Sequence, residues 1–217
     1  MQVKLNPRLL AVAKMVSPGS VVADIGTDHG QLICFLVGRA ISPRGYACDA
    51  NKGPLAAAAD TVARFGLEGK VTLHLTDGLK GLPLERIDEV VIAGMGGELI
   101  ADIIKASPGG ARFILQPMSK AERLRRRLYR MGYAITRESA VVCGRFVYTV
   151  IRAEYTGEAV EVDELFGWVG LLPTQSSPQN LALLAKTAHR LRKAAGGNPG
   201  YDILAEQIEE IIRGVKI

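Results

Sequence analysis

Residues 20–30, Ser-Val-Val-Ala-Asp-Ile-Gly-Thr-Asp-His-Gly, limit the choice of fold more than any other part of the chain. The stretch begins as a short β-branched, apolar run and ends in a glycine-bearing turn, after which residues 31–38 read as a helix. A buried strand that turns directly into a helix is the opening unit of a doubly wound α/β sheet, whose ligands bind at the carboxyl ends of the strands. Gly26 and Gly30 let the backbone pass close to a ligand, and Asp24 closes the strand with an acid. Asp28 stands where a dinucleotide loop has its middle glycine. A carboxylate there repels a pyrophosphate but suits a cofactor carrying a sulfonium and an ammonium, so the loop favours S-adenosylmethionine over NAD. Without a ligand, the same residues make only a tight strand-to-helix turn.

The segments on either side follow the same plan. Residues 6–16 carry apolar side chains at helical spacing and form a short helix in front of the first strand, with Arg8 at its start able to touch a ligand, though a solvated side chain is the plainer reading. Residues 46–49 read as a second strand ending in Asp49, at the distance expected for the acid that hydrogen-bonds ribose hydroxyls in such sheets. An alanine-rich helix covers about residues 53–65, and residues 70–75 form a third strand ending in Thr76-Asp77-Gly78. In a methyltransferase-like sheet Asp77 accepts from an adenine amine and Gly78 lets the ring approach; an ordinary Asp-Gly turn reads the same way. A fourth strand, residues 88–93, ends in Gly94-Met95-Gly96-Gly97 and opens a helix over residues 98–106. Those glycines leave room for a flat ligand or a substrate base.

A fifth strand over residues 111–115 leads through Gln116-Pro117 to a helix with a capping-box pattern, Ser119 with Glu122. Lys120, Arg123, Arg126, Arg127 and Arg130 crowd the polar sides of that helix and are the candidate contacts to an RNA backbone; a solvated face is the plainer alternative. Residues 133–142 and 145–155 flank Cys143-Gly144 as a β-hairpin. The order predicts an α/β, Rossmann-like class I methyltransferase sheet, mostly parallel with an antiparallel C-terminal hairpin. Residues 156–163 are polar and read as a linker, which divides the chain into a cofactor-binding domain, 1–156, and a C-terminal α-helical domain, 157–217. In the latter, Leu181, Leu184, Ala188, Leu191 and Ala195 form one apolar seam and Tyr201, Leu204, Ile208, Ile211 and Val215 a second, which predicts a helical hairpin.

Composition narrows the function. The 217 residues are 48% hydrophobic, yet no apolar run reaches membrane-span length and the N-terminus lacks a signal peptide's apolar centre, so a cytoplasmic protein is expected. Cys34, Cys48 and Cys143 read as buried thiols, and with only three histidines no metal site is expected. The formal charge of +5 is uneven: residues 157–217 hold eight Asp/Glu and six Lys/Arg, so the basic excess lies entirely on residues 1–156. That excess suits a polyanionic partner such as RNA.

Asp24-Ile25-Gly26-Thr27-Asp28-His29-Gly30, Ala93-Gly94-Met95-Gly96-Gly97, Leu115-Gln116-Pro117 and Leu124-Arg125 together resemble the bacterial tRNA adenine-22 N1-methyltransferase family. The resemblance covers nearly the whole chain and implies an S-adenosylmethionine-binding Rossmann-like domain joined to a coiled-coil-like helical domain. It implies further that Asp24, Gly26, Thr27, Asp28, Asp49, Asp77, Gly78 and Gly94 line the cofactor site, with Gly30 and Met95 beside them. Gly30 stands where the family is expected to have alanine. Adenine N1 already has a lone pair, so the reaction asks for orientation more than for a base. Asp28 is the candidate catalytic carboxylate for the cationic product ring, with His29 holding it or touching the base. The expected partner is tRNA, with no membrane and no metal, and a monomer. Two other readings use part of the same pattern: an NAD-dependent oxidoreductase and a non-catalytic RNA-binding module.

Overall fold

The computed structural model describes residues 3–106 and 110–214. They form a seven-stranded sheet: β1 (Val22–Ile25), β2 (Gly45–Asp49), β3 (Val71–Leu75), β4 (Glu89–Gly96), β5 (Arg112–Ser119), β6 (Tyr133–Cys143) and β7 (Phe146–Tyr155). The strand order is β3-β2-β1-β4-β5-β7-β6, with the first five parallel and β7 antiparallel between β5 and β6. The predicted sheet is the one observed.

The central strands β1, β4 and β5 are buried over most of their length because both faces are covered. Val22, Ala47, Val91 and Ile114 point to the side packed by α1 (Pro7–Ala13), α2 (Gln31–Gly38) and α3 (Lys52–Arg64). Ala23, Val90, Ile92, Phe113 and Leu115 point to the other, against α4 (Gly97–Lys105) and α5 (Ala121–Arg130). Glu89, the one acid in the fourth strand, is fully buried and accepts from Ser17 N and Oγ and from the Arg152 guanidinium at 2.9 Å.

The strand ends depart from expectation. β4 does not stop at Ala93 but runs on through Gly94 and Met95 to Gly96, and β5 runs through Pro117 to Ser119, with register shifts around Met95. The expected capping box is therefore absent. Ser119 is still extended, paired with Gly96, and Lys120 takes the cap position in a left-handed conformation (φ +56°) without a side-chain cap. Cys143 is half-buried rather than buried, since it lies at the hairpin tip.

After residue 156 the chain adds α6 (Glu164–Val169), which the sequence reading missed, then α7 (Pro178–Ala194) and α8 (Gly200–Gly214). Leu184, Ala188 and Leu191 pack against Leu204, Ala205 and Ile208 as the seams predict, with Leu183 rather than Leu181 joining them; Val215 lies outside the described residues. This unit is not detached from the sheet. Ala140 of β6 donates to Asn180 Oδ1, and α7 packs on β6 and β7. Deeper in, the Arg125 guanidinium pairs with Glu138 (2.8 Å) and donates to the carbonyls of Gly167 and Trp168, while Glu138 also accepts from Thr149 Oγ1 and Leu171 N.

Candidate cofactor and base site

The carboxyl ends of β1, β2 and β4 surround a cavity of about 440 Å³. The turn after β1 is fastened to its neighbour, with Gly26 N and Thr27 N both donating to Cys48 O at 2.8 and 2.9 Å. Gly26 needs its glycine: φ is +72°, and a Cβ there would stand 2.3 Å from Met95 Cε. Gly30 (φ +67°) caps α2 but does not itself line the cavity.

Asp24, Asp28 and Asp49 all border the cavity. Asp24 is buried and accepts from Thr27 Oγ1 at 2.8 Å. Burial pushes its pKa up to about 6, against the lowering effect of the Thr27 hydroxyl, and the neighbouring Asp49 charge adds to the rise. Asp28 adopts φ +53° and is 72% exposed at the mouth, with its Oδ1 3.6 Å from His29 Nε2. Asp49 Oδ1 accepts from Asn51 N at 2.9 Å, which fixes the carboxylate at the end of β2. Gly94 and Met95 close the opposite wall.

Two expected members stand elsewhere. Asp77 is 80% exposed and pairs with Lys80 at 3.2 Å, and Gly78 backs onto Ile103; neither borders the cavity. Their backbone is nonetheless adjacent, because Thr76 N donates to Asp49 O. For Arg8 the plainer of its two readings is the one that fails. Arg8 is not solvated: it borders the cavity and donates to Oε1 of the fully buried Gln116 at 2.5 Å. The available signal was Gln116 itself, since a polar side chain at the end of a buried strand requires a partner.

The basic residues of α5 are held by acids. Lys120 and Arg123 both pair with Glu98, Arg127 with Asp102 at 2.7 Å and Arg130 with Glu161 at 2.6 Å. Arg126 lays its stem against Gly167. Of the candidate cations, Lys120, Arg123, Arg127 and Arg130 thus each share an acid of α4 or of the segment before α6 at the protein surface.

Chemically, three carboxylates and one anchored guanidinium favour a ligand with cationic groups beside a nucleoside and disfavour a pyrophosphate. Among the described residues no group of His, Cys, Asp and Glu is placed to hold a metal ion, and no helix is long and apolar enough to cross a membrane. The sheet order, the glycine turn after β1 and the acid ending β2 define a Rossmann-like methyltransferase, and the methyltransferase-domain family matches residues 5–151. The chain is 32% identical over 197 residues to the tRNA (adenine(22)-N(1))-methyltransferase of Bacillus subtilis, covering 88% of this chain and 83% of that one. It belongs to that family. Among solved structures, Streptococcus pneumoniae Sp1610 in complex with S-adenosyl-L-methionine superimposes with a TM-score of 0.85 at 28% identity, covering 96% of this chain and all of that one. The B. subtilis M1A22 tRNA methyltransferase TrmK gives 0.82 at 26% identity, with 98% of each chain covered.

Proposed function

We infer that this protein transfers a methyl group from S-adenosylmethionine to N1 of adenine-22 in tRNA. The observation that carries the reading is the identity to the B. subtilis enzyme, which extends over both the sheet and much of the helical tail. The cavity fits the cofactor's chemistry. When bound, the cofactor supplies an electrophilic methyl on a sulfonium. Asp24 and Asp28 border the cavity and would set carboxylates beside the cofactor's cationic groups, and Asp49, at the end of β2, would accept from its ribose hydroxyls.

The target nitrogen brings its own electron pair, so the protein's work is to orient the base and exclude water. The bare backbone at Gly94 leaves room for a flat ring beside Arg8, which Gln116 holds in place. Asp28, with His29 beside it at the mouth, carries the negative charge that stabilises the cationic ring as it forms.

The test is incubation of purified protein with unmodified tRNA and S-adenosylmethionine, followed by nuclease digestion and mass mapping. A single 1-methyladenosine at position 22 is expected. A methyl group on another atom rejects the target while leaving the cofactor assignment; no product from a protein that binds S-adenosylhomocysteine rejects the activity.

A further inference from the structure

A second hollow, of about 380 Å³, lies between the β6–β7 hairpin, the end of β5 and α7. It lies close to the first across one strand pair: Met95, which walls the cofactor cavity, is the register partner of Pro117, which walls this cleft. Its lining differs sharply from that of the cofactor cavity. Lys186, Arg190 and Lys193 follow one another at helical spacings of four and three, so they share the face of α7 that borders the cleft. Phe146 and Trp168 supply aromatic surface, and Phe146 is 45% exposed.

The charges here are free in a way those of α5 are not. Among the described residues no carboxylate lies within ion-pair distance of Lys186 or Lys193, and the nearest acid to Arg190 is Glu122 at 3.9 Å. Lys186 Nζ instead stands 5.7 Å from the Phe146 ring, Arg145 lies 5.0 Å over the same ring, and Arg190 lies 5.2 Å over Trp168. The exposed Phe146 ring, bordered by Lys186 and Arg145, and the half-buried Trp168 under Arg190, whose one acid is the distant Glu122, suit a ligand that is flat on one side and anionic on the other. A folded duplex presents its bases edge-on and stacked; an unstacked nucleotide offers both a ring face and a phosphate.

We propose that this cleft takes an unstacked nucleotide of the RNA next to the methylated base, its ring on Phe146 or the Arg190–Trp168 stack and its phosphates on Lys186 and Lys193. The proposal rests on the tRNA reading above and adds where the RNA is gripped. It moves the principal contact from α5 to the groove between the sheet and the helical tail.

The decisive experiment measures tRNA affinity by fluorescence anisotropy from 50 to 200 mM salt, with S-adenosylhomocysteine binding as the control for folding. Lys186→Glu with Lys193→Glu is expected to weaken tRNA binding at least ~10-fold and to make the log–log salt slope shallower by about 1.4, the loss of two single-strand phosphate contacts. Phe146→Ala is expected to cost about tenfold in affinity with the slope unchanged, since stacking releases no counterions. Reversal of Arg123 and Arg127 is expected to cost less than the Lys186/Lys193 pair. Photo-crosslinking of thiouridine-labelled RNA to the wild-type protein gives a readout independent of any variant's fold, and crosslinks within residues 145–149 or 183–193 are expected. Wild-type affinity and slope in both cleft variants, or crosslinks confined to α5, overturn the proposal. Wild-type protein that does not bind tRNA at all removes the function reading with it, whereas unaltered variants of a protein that methylates tRNA remove only the cleft.

Discussion

Asp24→Asn gives the most direct test of how the cofactor cavity is built. The carboxyl group is buried at the end of β1, and its pKa of about 6 lies some two units above the ordinary 3.8. At 1.36 kcal/mol per unit, holding it ionised in the folded chain at neutral pH costs about 3 kcal/mol. Between pH 4 and 6 the folded chain keeps a proton on Asp24 that the unfolded chain has released, so this contribution to stability falls as pH rises through that window and then levels off. Asparagine keeps the shape and still accepts from Thr27 Oγ1 without carrying charge. Urea denaturation at a series of pH values is therefore expected to show the variant more stable than wild type by up to about 3 kcal/mol at pH 7.5. The difference should shrink below pH 6 and vanish near pH 4. The same variant is expected to bind S-adenosylmethionine more weakly, because a cationic ligand is what offsets the buried charge. Equal stability of the two chains across the whole range would refute the burial argument.

Other substitutions probe separate parts of the molecule. Asp49→Ala should weaken S-adenosylhomocysteine binding by roughly 1.5–3 kcal/mol, measured by calorimetry, as expected for hydrogen bonds to a charged group. Gly97→Ala places a Cβ 2.5 Å from the Lys120 carbonyl oxygen, a backbone atom with little freedom to move, and should lower stability by roughly 1–3 kcal/mol in thermal denaturation. Glu138→Gln leaves the Arg125 guanidinium buried without its counter-charge, and a loss of roughly 3–5 kcal/mol in urea denaturation is expected.

What the sequence revealed was whatever is local. A β-branched run closing in Asp24, glycines at positions 26 and 30, and a second strand closing in Asp49 are neighbours in the chain, and their spacing alone put the acids at adjoining strand ends. The strand order followed because alternating strands and helices have few ways to pack. What stayed hidden depends on partners distant in the chain. Arg8 reads as solvated until Gln116, 108 positions later, is brought beside it. The α5 cations read as free because Glu98, Asp102 and Glu161 belong to other segments. Asp77 is legible only in part: an Asp-Gly step fixes the turn, while the carboxylate lies beside Lys80, three residues on, outside the cavity. Ser119 and Glu122 had the letters of a cap, but continued pairing of β4 and β5 kept Ser119 extended.

The Arg125–Glu138 pair bears on how this chain can be divided. Composition draws a boundary near residue 156, yet the guanidinium on one side is saturated only by carbonyls on the other, and Glu138 receives the amide of Leu171. A gene truncated at that boundary would encode a sheet whose interior holds a cation stripped of two acceptors and whose outer strands β6 and β7 face water where α7 had lain. The catalytic half is therefore not a portable cassette. Any other tail grafted onto this sheet would have to present backbone to Arg125 and Glu138 where Gly167, Trp168 and Leu171 do, so the unit that must be kept whole is the joint rather than either part.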